Sequence, residues 1–187
     1  MEESINLKRS KYISWDVYFM SIAFMSSLRS KDPSIRHGAC IVDKNNHIIG
    51  TGYSGFPKGC SDDIFPWGRD GAPNNTKYPY VVHAEINAIL NSVSSNLCGS
   101  KLYLYSQKGY YPCSDCAKSI IQSGISEVIM PFTIKDNTDV YDWTPTKEMF
   151  RHSGVKMIEL DFDNFEEEFN FIASELKQDL TRMRSLK

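Results

Sequence analysis

The chain has 187 residues, a formal net charge of -2 and five cysteines. That length suits one globular domain with a real core, and so even a charge balance excludes a protein that grips nucleic acid mainly through its phosphates; a small phosphorylated ligand needs only one or two local cations. An odd number of irregularly spaced cysteines is not a disulfide framework, and with no apolar leader in "MEESINLKRSKY" and no bilayer-length apolar run the expectation is a reducing, soluble, cytoplasmic setting without a membrane partner.

In chain order, "SWDVYFMSIAFMSSLRS" predicts a first helix with Ser14 as N-cap and Phe19, Ile22 and Met25 or Ser26 at helical spacing. Apolar residues all round it predict deep burial. "GACIV" and "HIIGTGY" read as strands, and "DKNN" between them is turn chemistry, so a β-hairpin is expected. Residues 54–78 are rich in Gly, Pro, Asp and Asn, and loops of that length tend to be functional or disordered. "AEINAILNSV" is a helix candidate, "KLYLY" a strand, "SDCAKSIIQSG" a helix ended by Gly124, and "SEVIMPF" a strand. "TPTKEMFRHSG" reads as a helix with Thr144 as cap, Pro145 in the first turn and Gly154 at the end. "VKMIEL" is a fifth strand. Residues 161–187 hold a last amphipathic helix, packed on the domain or at a subunit interface. The order α-β-β-α-β-α-β-α-β-α implies a single α/β domain over 1–187, its sheet covered by helices on both faces.

Two cysteines, Cys113 and Cys116, follow Pro112, and "VHAEINA" places His83 two positions before Glu85. Both stretches lie where a strand or loop gives way to a predicted helix. Helix N-termini offer open N–H groups and positive dipole ends, which favour thiolate over thiol. Three N and S ligands leave a tetrahedral Zn²⁺ one open position, the pattern of a catalytic site. Two thiolates and a neutral imidazole cancel the ion's charge, so its water is acidified less and a nearby base becomes valuable. Glu85, in the first turn of the same helix, is placed for that. A fourth ligand from Cys98, Cys60 or His152 would instead close the site and make it structural.

Together these residues spell H-x-E and P-C-x-x-C, and by this signature the chain resembles the zinc nucleobase deaminases. The stretches "RSKDP", "GACIV", "GTGYSGFPKGCSDD", "TKYPYVVHAEINAI" and "CAKSIIQSGISEVI" make it similar, over about residues 15 to 154, to the deoxycytidylate (dCMP) deaminases of the eukaryotic type. The resemblance implies a three-layer α-β-α cytidine-deaminase-like fold around a five-stranded mixed sheet. It implies zinc-dependent hydrolysis of dCMP to dUMP, feeding thymidylate synthesis. His83, Cys113 and Cys116 would bind zinc, Glu85 would move protons from water to N3 and the departing amine, and the Ala84 N–H would hold the pyrimidine carbonyl. It also implies a homo-oligomer, often a hexamer, activated by dCTP and inhibited by dTTP, with Mg²⁺ accompanying the triphosphate. Gly55, Lys58 and Asp62 in "GFPKGCSDD" are then the candidate effector contacts.

The chain departs from the family pattern in three places. Ser54 stands where the family has an asparagine that contacts the sugar, and a hydroxyl carries fewer hydrogen-bonding groups. In "KDPSIRHGA" the family's polar residue becomes Ser34, while Arg36 and His37 bring charge to positions that are more often neutral. Arg36 either grips a phosphate bidentately or is a solvated surface arginine; Lys31, Lys58 and Arg69 are the other phosphate candidates. Finally, "SQKGYY" is inserted before P-C-x-x-C, which predicts Tyr110 or Tyr111 at the pocket mouth. Tyr141 and Trp143 are candidates for a substrate-side aromatic, with ordinary packing as the alternative. Two rival readings stand beside a free-nucleotide deaminase. One is a deaminase for another base, including a base in RNA or DNA; the other is a zinc-stabilised, catalytically weakened paralogue that binds nucleotides.

Overall fold

The computed structural model describes residues 8–132 and 142–185. Among these residues the elements are α1 (Trp15–Ser27), β1 (His37–Val42), β2 (Ile48–Tyr53), α2 (Ala84–Leu90), β3 (Lys101–Ser106), α3 (Ser114–Gln122), β4 (Glu127–Met130), α4 (Thr144–Ser153), β5 (Lys156–Glu159) and α5 (Phe162–Ser185). The order matches the expectation from the sequence, with one addition: a single 3₁₀ turn at Pro73–Asn75 inside the long loop.

The five strands form one mixed sheet in the order β2-β1-β3-β4-β5. β1 runs antiparallel to both β2 and β3, while β3, β4 and β5 are mutually parallel neighbours. The β1–β2 turn is closed by Asp43, whose carboxylate accepts from the Asn45 and His47 amides at 2.8 and 2.9 Å, and Asn46 takes φ 64°, a conformation asparagine tolerates.

Strand alternation sorts the core onto two faces. Ala39, Ile41, Leu102, Leu104, Val128 and Met130 point to the face covered by α2, α3 and α4, joined there by Ala84, Ala88, Ala117, Ile120 and Phe150. Cys40, Val42, Tyr103 and Ile129 point to the other face, where Phe19, Met20 and Ala23 of α1 cover them. α1 is capped as expected: the Ser14 hydroxyl accepts from the Val17 amide at 3.3 Å. The first half of α5 packs beside α1, with Phe169 edge-on to Phe24 at 5.1 Å. Its second half leaves Leu176, Leu180 and Met183 exposed.

One cap differs from the expectation. α4 starts at Thr144 itself, so Trp143 is the cap residue. The Asp142 carboxylate supplies the missing acceptor, taking the Thr144 amide at 2.9 Å. Gly154 ends the helix at φ 79°, in the left-handed region that favours glycine.

Candidate active site

β2 and β3 end on the same edge of the sheet, where β1 begins, because β1 runs against both. The helices that follow them, α2 and α3, therefore start on that edge. This is the usual place for a ligand in an open α/β sheet. Small residues let the two helices approach: Ala84 and Ala88 on α2 and Ala117 on α3 are all fully buried in one cluster.

Each helix gives up its cap to a chemical role. His83 is the N-cap of α2 and Cys113 the N-cap of α3, both in extended backbone, and neither makes a side-chain cap hydrogen bond. Serine, threonine, aspartate or asparagine is the usual occupant. The side chains instead point at each other. His83 Nδ1 lies 3.4 Å from Cys113 Sγ and 3.3 Å from Cys116 Sγ, and all three ligand atoms lie within 4.8 Å of one another. Tetrahedral zinc with ordinary Zn–N and Zn–S lengths separates an N and an S ligand by about 3.5 Å, so the donor set and its spacing fit that ion. Among the described residues no further His, Cys, Asp or Glu joins this group, so Cys98, Cys60 and His152 do not close it.

The electrostatics favour a cation. The Cys113 thiol is pulled down to about 4, first by a hydrogen bond from Cys116 and then by His83. His83 is raised to about 9, chiefly by its hydrogen bond with Cys113. Cys116 is pushed up, by Cys113 and by burial. A metal must displace the protons that remain on these ligands. Glu85 is only 5 % exposed, and burial holds its carboxyl above the ordinary carboxylate range, against the pull of His83.

A pocket opens over these groups. His83, Glu85 and Cys113 line it together with Ser54, Trp143, Tyr110 and Tyr111. Ser54 is buried and its amide donates to the His37 carbonyl at 3.2 Å. The inserted segment and the start of α4 form one aromatic wall: Tyr110 and Tyr111 lie 5.6 and 6.0 Å from Trp143, and Lys147 sits over the Tyr111 ring at 4.6 Å.

Other expected residues fall elsewhere. Ala84 is the first residue of α2 and its side chain is core; what it can offer is a backbone N–H of the helix's open first turn. Ser34 lies in a turn capped by the Asp32 carboxylate, which accepts from its amide at 2.8 Å, and is not among the pocket-lining residues. Arg36 also is not among them; its backbone pairs with Gln107 and its charge bears on Tyr105. Gly55 forms an antiparallel bridge with Val82, Lys58 is exposed, and Asp62 is ion-paired with Lys31. Tyr141 lies outside the described residues.

Several pocket residues, Asp32, Lys77 and Lys108 among them, were not assigned to it by sequence reasoning. Asp32 and Lys77 form an ion pair with side chains only 4 % and 7 % exposed, and both line the pocket. His37 lines it too. The sequence suggests a charge there, but burial and then the neighbouring His83 push His37 down to about 4, so it is neutral at physiological pH. Asp32 lies in "RSKDP" and Lys77 in "TKYPY", but neither stretch announces the pairing; the two meet only through the packing of the 54–78 loop against the α1–β1 connection.

The comparisons with known proteins agree on one family. The family described as the cytidine and deoxycytidylate deaminase zinc-binding region matches residues 13–131. The deoxycytidylate deaminase of Mus musculus is 48% identical over 149 residues, covering 79% of this chain and 80% of that relative. That of Homo sapiens is 46% identical over 156 residues, covering 83% and 84%. Among solved structures, the dCMP deaminase of cyanophage S-TIM5 in complex with dCMP and dUMP superposes with a TM-score of 0.57 at 26% identity, covering 76% of this chain and 94% of that one.

Proposed function

Because the chain belongs to the cytidine and deoxycytidylate deaminase family, we infer that it converts dCMP and water into dUMP and ammonia. The observation that carries this reading is the convergence of His83, Cys113 and Cys116 beside the buried Glu85 in one pocket. Relatives named deoxycytidylate deaminase, similar over most of their length, support it.

The donor set suits zinc, which when bound supplies the Lewis acidity that makes water nucleophilic near neutral pH. The remaining work falls to side chains. Glu85 takes a proton from the attacking water, passes it to N3, and carries a second proton to the amine as the C4–N bond breaks. Its raised affinity for protons suits a group that must both accept and donate. The Ala84 N–H is assigned to the pyrimidine carbonyl, Ser54 to the sugar, and Tyr111 with Trp143 to the wall against which the substrate rests.

The finer parts of the proposal concern control and assembly. A triphosphate effector such as dCTP, with Mg²⁺, would bind the loop holding Gly55, Lys58 and Asp62, and dTTP would oppose it. The Gly55–Val82 bridge, with N–O distances of 3.1 and 2.9 Å, joins the residue after Ser54, at the start of this loop, to the residue before His83. The exposed Leu176, Leu180 and Met183 of α5 support self-association as a homo-oligomer.

Zinc-loaded protein is expected to release ammonia from dCMP faster than from cytidine, adenosine or a cytosine-containing oligonucleotide. The reverse order would reject the reading. Glu85→Gln is expected to lower kcat by about 10³ with zinc content unchanged; equal activity would remove Glu85 from the mechanism.

A further inference from the structure

β2 is an edge strand of the sheet, and α2 is stitched along it. The Asn87 Nδ2 donates to the Tyr53 carbonyl at 2.7 Å, and the Asn91 Nδ2 to the Thr51 carbonyl at 3.4 Å. Just past the helix, the Val93 amide donates to the Ile49 carbonyl at 2.9 Å. Helix and strand therefore run in opposite directions, and their repeats match. Four helical residues rise about 6.0 Å, while two strand residues advance about 6.8 Å. Asparagines four apart on α2 can thus meet alternate carbonyls on β2. Gly50 and Gly52 leave the helix backbone room to lie this close.

We propose that Asn87 is a positioning residue: its side-chain amide sets the register of α2 along β2, and so the spacing between Ser54 and the reaction centre at His83 and Glu85. This rests on the dCMP deaminase reading above. The strongest stitch lies at the site end of the seam. Tyr53 immediately precedes Ser54, and Asn87 stands one turn beyond the helix start, its own amide donating to the His83 carbonyl at 3.0 Å. The same Nδ2 lies 3.5 Å from the Val82 carbonyl. One amide group therefore reaches both the residue before Ser54 and the residue before His83. Asn87 is not among the pocket-lining residues, so it acts through these neighbours. His83, Ala84 and Glu85 ride together on α2, whereas Ser54 belongs to the end of β2. A slip of one helical residue would displace the two groups by about 1.5 Å, and a misplacement of about 1 Å can cost a hundredfold in rate.

The test is a double-mutant cycle between Asn87 and Ser54 in zinc-loaded protein, with kcat/KM on dCMP and bound zinc both measured. Asn87→Ala alone is expected to lower kcat/KM about 10- to 100-fold with zinc content unchanged. In a Ser54→Ala background the same substitution is expected to cost about twofold or less, because the contact it aligns is already gone. Asn87→Gln keeps a donor on a longer stem, and a smaller loss with the same non-additivity is expected of it; this variant carries the test if Asn87→Ala does not fold. Equal losses in both backgrounds overturn the positioning role, as does a loss that follows zinc content with kcat/KM per bound zinc unchanged. Wild-type protein that binds zinc but does not deaminate dCMP overturns the substrate reading instead.

Discussion

Glu85 and Asp32 are both buried carboxylates in one pocket, and their surroundings give them different work. Glu85 is held toward its protonated form by burial, which suits the proton-carrying role proposed for it. Asp32 is locked in place: its Oδ1 accepts from the Ser34 amide and its Oδ2 from Lys77. Removing one partner of a buried ion pair leaves an uncompensated charge, which costs about 3–5 kcal/mol. Lys77→Met is therefore expected to lower unfolding free energy by that amount in urea titration. Asp32→Asn combined with Lys77→Met should recover most of the loss, because the asparagine side chain keeps an acceptor for the Ser34 amide and carries no charge. If the double variant is no more stable than the single, charge burial is not the cause. The difference in legibility between these residues is physical. His83 with Glu85, and Cys113 with Cys116, are each two or three positions apart, so a helix start alone fixes their geometry. Asp32 and Lys77 are 45 positions apart, and only the folded loop brings them together. His37 illustrates the same limit: its neutrality is a property of burial that no neighbouring residue in the sequence announces.

Among the elements, α2 is the one whose placement matters most to the chemistry, since it carries His83, Ala84 and Glu85. It lies directly on β2. A Cβ on Gly52 would collide with the Ala84 carbonyl oxygen and the Ala88 amide nitrogen, and one on Gly50 would come within 2.5 Å of the Ala88 carbonyl oxygen. These are backbone atoms that cannot turn aside. Gly52→Ala should push α2 away from the sheet, lowering stability by roughly 1–3 kcal/mol and reducing zinc retained after dialysis. Gly68→Ala, where a Cβ meets nothing within 4 Å, is the matched control. Equal zinc content in the two variants would show that the helix can shift without disturbing its ligand. The elements themselves are readable from apolar spacing, because two-residue alternation and helical spacing follow from backbone geometry. The glycines of "GTGY" are not readable as a helix seat, because the need for closeness comes from an element far along the chain. The cap of α4 differs from the sequence reading by one residue for a similar reason: the Asp142 carboxylate, not Thr144, supplies the acceptor.

For the whole molecule, the proposed zinc ligands His83, Cys113 and Cys116 would join two helices that otherwise meet through small side chains. Metal held by His83 on α2 and by Cys113 and Cys116 on α3 should act as a cross-link that only the folded chain can make. At a hundredfold excess over its dissociation constant, a ligand bound only by the native state adds about 2.7 kcal/mol, which is about 5–10 °C in Tm for a domain of this size. Stripping with a chelator should lower Tm by that much, and stoichiometric zinc should restore it. A Tm indifferent to chelation would mean that the helices hold their places without the ion. The three-layer architecture is legible as a whole because the order of strands and helices limits the possible sheets. Which edge holds the site follows from β1 running antiparallel to both of its neighbours, a pairing that spacing alone does not specify.

The connection between β3 and α3 is tied at both ends. Gln107 is bonded to the backbone of Arg36, and the Pro112 carbonyl accepts from the Thr146 hydroxyl at 2.9 Å. Between these knots the chain can lengthen or shorten while the first ligand after it, Cys113, stays where α3 begins. Such a cassette separates two evolutionary problems. Selection can try new substrates by rewriting one short stretch, and the reaction centre need not be reinvented each time.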